Sequence, residues 1–106
     1  MRIDRFNEII QGQIEHSLVV LAEKGKEYSL SDDRLDHFKD AAAEQDMTPK
    51  QALWGMLSKH LASLNGMCKK GSSDKALWNE KITDSINYLL LLWALVEEEL
   101  DNDTTM

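Results

Sequence analysis

Helix breakers are scarce in this sequence: one proline and five glycines in 106 residues. So few breakers favour helices joined by short connections. A lone cysteine, Cys68, excludes an internal disulfide and a zinc site built from cysteines. It points to a reducing compartment. The apolar stretch from Ile86 to Val96 is 11 residues long and contains Asn87, whereas a membrane span needs roughly 20. The opening MRIDRFNEII has no apolar core of signal-peptide length. The expectation is a cytoplasmic protein with no membrane contact. Positive charge is also short, with 12 Lys and Arg against 19 Asp and Glu and a net charge of −7. That speaks against duplex nucleic acid as a partner, because such binding needs clustered cations to replace counterions. It leaves a divalent cation or a basic partner as charge-compatible ligands. There is no glycine-rich phosphate loop, zinc motif, serine-nucleophile elbow, internal repeat or useful β-strand pattern.

What is present is helical periodicity, in one domain spanning residues 1–106. Asp4 caps a first helix over about 5–24, with Ile3, Phe6, Ile10, Ile14, Leu18 and Leu21 as its apolar stripe and Gly25 as its stop. Gln13 falls inside that stripe, which predicts a partly buried polar residue bonded to a neighbouring helix. His16 lies at the stripe's edge as a boundary residue. SLSDD reads as loop and cap. A second helix over about 33–45 turns Leu35, Phe38, Ala41 and Ala42 to the core. Thr48, Pro49 and Gln51 spell the start of a third helix, 49–65: an N-cap, a proline at N1 and a T-x-x-Q capping box. Its core stripe is Leu53, Trp54, Leu57, Leu61 and Leu64, and Gly66 is its expected stop. Lys59 sits on the opposite side. MCKKGSSDK follows as the expected mobile loop, carrying an incidental Cys68.

The fourth helix, 74–100, is the longest, at roughly 40 Å by the 1.5 Å rise per residue. Ahead of its greasiest part, Glu80, Asp84, Asn87 and Tyr88 fall within roughly 100° of arc on one face. Ile82, Ile86, Leu89, Trp93 and Val96 lie opposite. A helix apolar on both sides is covered on both sides. The expected architecture is therefore an all-α, four-helix bundle-like domain with a long C-terminal helix. That helix is expected to mediate a homodimer or higher homo-oligomer, and residues 101–106 to fray. A carboxylate pair at the mouth of such a helix is a candidate site or a solvated face.

Three segments carry a resemblance: KGKEYSLSDDRLDHFKDAA (24–42), LWGMLSKHLASL (53–64) and EKITDSINYLLLLWAL (80–95). Together they resemble a group of small phage and prophage proteins with these blocks in this order. More distantly, the arrangement is similar to the all-α nucleoside triphosphate pyrophosphatases, which include the MazG-like proteins and the dimeric dUTPases. The resemblance implies a helical, oligomeric, magnesium-dependent hydrolase that cleaves nucleoside triphosphates to monophosphate and pyrophosphate. Carried over, it makes Glu80 and Asp84 the catalytic acids and Glu27, Glu80 and Asp84 the magnesium ligands. Arg34 and Lys59 would meet phosphates, and Asn87 and Tyr88 the base or sugar. The sequence departs from the pattern at Lys81, where a glutamate is expected three residues before Asp84, and the third helix carries no acidic residue.

Two functions of different class follow. One is a nucleotide-handling protein of the MazG-like kind, with pyrophosphohydrolase activity as its expected chemistry. The other is a non-catalytic acidic helical phage protein that binds a host or phage protein. In a third reading, assembly alone, Glu80 and Asp84 are structural hydrogen-bond acceptors.

Overall fold

The computed structural model describes residues 1–28 and 31–104. These form four helices: α1 (Ile3–Tyr28), α2 (Asp36–Glu44), α3 (Pro49–Lys70) and α4 (Lys75–Thr104). No strand occurs among the described residues, and no helix there is long and apolar enough to cross a membrane. The chain is all-α with a long C-terminal helix. Residues 29–30 of the expected loop and 105–106 of the expected tail lie outside the described residues.

Where the helices start and stop follows from local chemistry. At α3 the capping box is complete: Gln51 N–H donates to Thr48 Oγ1 at 3.2 Å, and Thr48 N–H to Gln51 Oε1 at 2.9 Å. The helix runs past Gly66 and stops at Gly71, whose φ of 76° lies in the left-handed region that glycine enters without steric cost. The expected loop therefore shrinks to residues 71–74, and Cys68 sits exposed on α3. Asp74 caps α4 by accepting from Leu77 N–H at 3.0 Å. Gly25 likewise does not end α1, which continues to Tyr28. Asp4 lies inside the first turn of α1 rather than before it.

Helix α2 begins three residues later than expected. Asp33 folds an Asx turn instead, its Oδ1 accepting from Leu35 N–H at 2.9 Å and its Oδ2 from Lys39 Nζ. The Lys39 bond, followed by the Leu35 amide, holds the Asp33 carboxyl below its usual range. Lys39 is raised in turn by Asp33 and by Glu98, whose Oε1 lies 2.8 Å from its Nζ. Residues 101–104, expected to fray, continue α4.

The core is small and lies among α2, α3 and α4. Leu35, Phe38, Leu53 and Leu95 cluster, with Met56, Tyr88, Leu91 and Leu92 packed against them. Leu57 is fully buried on α3, but Trp54 and Leu61, expected to share its stripe, are exposed.

Helix α1 stands apart from that core and packs on α4. Most of its apolar stripe is not what it packs with: Ile3, Phe6, Ile10, Ile14 and Leu18 are exposed, while Leu21 at its end is half-buried. The contact is polar. Gln13 Nε2 donates to Thr83 Oγ1 at 2.8 Å, and its Oε1 accepts from Asn79 Nδ2 at 3.0 Å. One turn on, Asn87 Nδ2 donates to the Ser17 carbonyl at 3.0 Å. Ser17, Thr83 and Asn87 are buried. Gln13 thus behaves as its position in the stripe predicts, although the stripe around it faces outward.

Candidate functional site

Between α1, the start of α2, α3 and α4 lies a cavity of about 370 Å³. Its wall is Leu21 and Lys24 from α1, Arg34, His37 and Phe38 at α2, His60 from α3, and Asp84, Asn87, Tyr88 and Leu91 from α4. The volume lies at the lower end of the range for small-molecule sites. A larger, more open groove of about 790 Å³ between the first turns of α3 and the end of α4 contains none of the expected site residues.

Each polar group in the cavity is placed by a helix. Asp84 reaches in from α4 and is 12% exposed; its Oδ1 accepts from Lys24 Nζ at 2.9 Å. On its other side, Asp84 Oδ2 lies 3.9 Å from His60 Nδ1. That is too long for a hydrogen bond, and His60 Nδ1 is buried without a partner. Arg34 Nη2 donates to the Leu21 carbonyl at 3.3 Å. The Arg34 side chain passes over Gly25, where a Cβ would lie 2.6 Å from Nε and 3.2 Å from Cδ. A glycine inside α1 costs about 1 kcal/mol of helix propensity, and the near contact explains its place there.

Asn87 is 5% exposed, and its Oδ1 has no hydrogen-bond partner. Its amide is oriented by the bond to Ser17, which leaves the acceptor end unsatisfied. Tyr88 forms an aromatic wall, edge-on to Phe38 at 6.4 Å and tilted on His60 at 5.3 Å.

Four of the seven expected site residues meet here: Arg34, Asp84, Asn87 and Tyr88. Glu27, Glu80 and Lys59 do not line the cavity, and all three are exposed. The expected magnesium ligands therefore do not converge. Among the described residues no group of three or more His, Cys, Asp or Glu is placed to hold a metal. The one carboxylate among the described lining residues already has an ammonium on it. The donor set as placed does not fit a magnesium site, and no chemical step is derived through one.

Lys24, His37 and His60 are cavity residues that their sequence context did not mark. Lys24 is one turn beyond Leu21, and His60 lies three residues from Leu57 and four from Leu64. Both spacings put a polar head at the edge of an apolar stripe, and that was the available signal. No protein family, characterised protein or solved structure matches the chain.

Proposed function

We propose that this chain binds a small anionic ligand with a planar ring, of the nucleotide class, in the cavity around Asp84. The carrying observation is the meeting of Lys24, Arg34, Asp84, Asn87 and Tyr88, brought from separate elements, around one cavity of about 370 Å³. Tyr88, Phe38 and Leu91 supply its apolar wall. Lys24 and Arg34 supply two permanent positive charges for an acidic group. This takes the nucleotide over from the resemblance. Among the described residues Asp84 is the one carboxylate lining the cavity and it is engaged by Lys24, so the reading is of binding without magnesium-dependent cleavage.

The test is calorimetric titration and thermal unfolding with nucleotides in chelator. Binding and a raised Tm without added magnesium are expected. Ligand at a hundred times Kd adds about 2.7 kcal/mol of stability. Gly25→Ala sharpens the test, since its Cβ displaces Arg34 while alanine favours the helix. The expected result is an unchanged or higher Tm in the free protein and binding weakened several-fold. Undiminished binding in that variant removes Arg34 from the site, and no response to any nucleotide at millimolar concentration removes the reading.

A second copy of the chain is the partner supported by a different observation. On α4, Ile82, Ile86, Leu89, Trp93, Val96 and Leu100 recur at alternating spacings of four and three, a coiled-coil seam. Ile82, Leu89, Trp93 and Leu100 on it are exposed. With the α1 stripe, the uncovered apolar surface is on the order of 1,000 Å², taking roughly 100 Å² for each half-exposed large side chain. One partner in a standard interface covers about 800 Å². Sedimentation at micromolar concentration is expected to show a dimer, and Trp93→Glu a monomer. A parent protein that sediments as a monomer rejects it.

A further inference from the structure

We infer that the cavity selects a nucleoside monophosphate over the corresponding di- and triphosphate, an inference that rests on the nucleotide reading above. Charge is the first ground. Among the described residues that line the cavity, Lys24 and Arg34 against Asp84 leave one net positive charge. A phosphomonoester carries about −1.5 to −2 at neutral pH. Each further phosphoryl group adds about one more negative charge, and the described lining residues hold no further lysine or arginine to meet it.

The second ground is Asp84 itself. Its carboxylate shares the cavity with the ligand and repels every added charge. Asp84 is 12% exposed, so water screens that repulsion only in part. Enzymes that bind triphosphates answer this repulsion with a metal ion bridging the phosphate oxygens. Among the described residues no cluster of three or more His, Cys, Asp or Glu is placed to hold one.

Space is the third ground. About 370 Å³ is small for a ligand site, and the aromatic wall of Tyr88 and Phe38 already claims the part suited to a ring. Arg34 and Lys24 stand on two different elements flanking the same cavity. One phosphate between them uses both cations at once, whereas a chain of three phosphates extends away from them.

The experiment is titration calorimetry of the full chain with the adenosine and thymidine series in chelator at fixed ionic strength. Inorganic phosphate and the free nucleosides serve as part-ligands. In at least one series the monophosphate is expected to bind tightest, with the triphosphate weaker by at least tenfold and both part-ligands weaker still. A triphosphate that binds as tightly as its monophosphate overturns the selectivity but leaves the nucleotide reading standing. Inorganic phosphate binding as tightly as any nucleotide overturns the role of the ring, and with it both readings. Silence from every nucleotide overturns the nucleotide reading and the selectivity together.

Discussion

Asp84→Asn is expected to bind a nucleoside monophosphate about tenfold more tightly than the parent protein. A phosphate drawn in by Lys24 would lie about 6 Å from the Asp84 carboxylate. At an effective dielectric near 20, like charges at that distance repel by roughly 3 kcal/mol. Taking about half of this as already offset by Lys24 leaves some 1.4 kcal/mol, a factor of ten. The amide keeps the shape of the carboxylate and releases Lys24 to the ligand. Stability should change little. Lys24 is 42% exposed in its pair with Asp84, and ion pairs that open to solvent contribute at most about 1 kcal/mol. A catalytic metal site demands the opposite sign, because removing the central carboxylate there abolishes both metal and substrate binding. Calorimetry on the two proteins separates the accounts. Weaker binding in Asp84→Asn would place the carboxylate among the ligand's contacts and end the electrostatic argument.

Phe38→Ala is expected to cost about 3–5 kcal/mol, the range for emptying a buried aromatic site. Phe38 is 3% exposed at the centre of the cluster with Leu35, Leu53 and Leu95. Helix α2 has 9 residues, too few to persist without packing. Leu35, Phe38 and Ala42 are the buried side chains that fasten this part of the chain. A loss of this size removes a large share of the roughly 5–15 kcal/mol typical of a domain. It should lower Tm by about 15 °C or more. Arg34 and His37 flank the anchor, so ligand binding should fall with it. Phe38→Leu keeps most of the volume and should lose less than about 1.5 kcal/mol. Denaturant unfolding of both variants gives the comparison. A Phe38→Ala loss below about 1 kcal/mol would mean that α2 is held by other contacts.

How far the sequence could be read depended on whether a residue's partner lay near it in the chain. Thr48 and Gln51 are three residues apart, and their reciprocal bonds form as the T-x-x-Q pattern predicts. Leu35, Phe38, Leu53 and Leu57 were identified by period alone and are buried. Gly25 and Gly66 misled because a glycine stops a helix only where the backbone turns left-handed, as at Gly71. Gly25 stays helical, and the Arg34 side chain fills the space where its Cβ would be. Periodicity also marked the α1 stripe without indicating what covers it. The true contact, Gln13 and Ser17 on Thr83 and Asn87, has no hydrophobic signature.

The site divides in the same way. Asp84, Asn87 and Tyr88 share one helical face, so their meeting was legible, and Arg34 joined them from a separate block. Glu80 is one turn from Asp84, yet it is exposed and outside the cavity. Lys24 and His60 entered through tertiary packing, each brought to Asp84 from a different helix.

The polar contact between α1 and α4 acts as an index that permits one register. Two apolar helices can slide by a turn and still bury similar area, because dispersion and desolvation have no fixed rungs. Here the rungs are the Gln13 side chain on Thr83 and on Asn79. Slipping by one turn would strand those groups at about 1–3 kcal/mol each. Helix α1 therefore has one seat on α4, chosen by uncharged side chains. That seat delivers Lys24, about three turns further along α1, to Asp84. The alignment of the cavity's charges is thus set outside it, by residues that carry none.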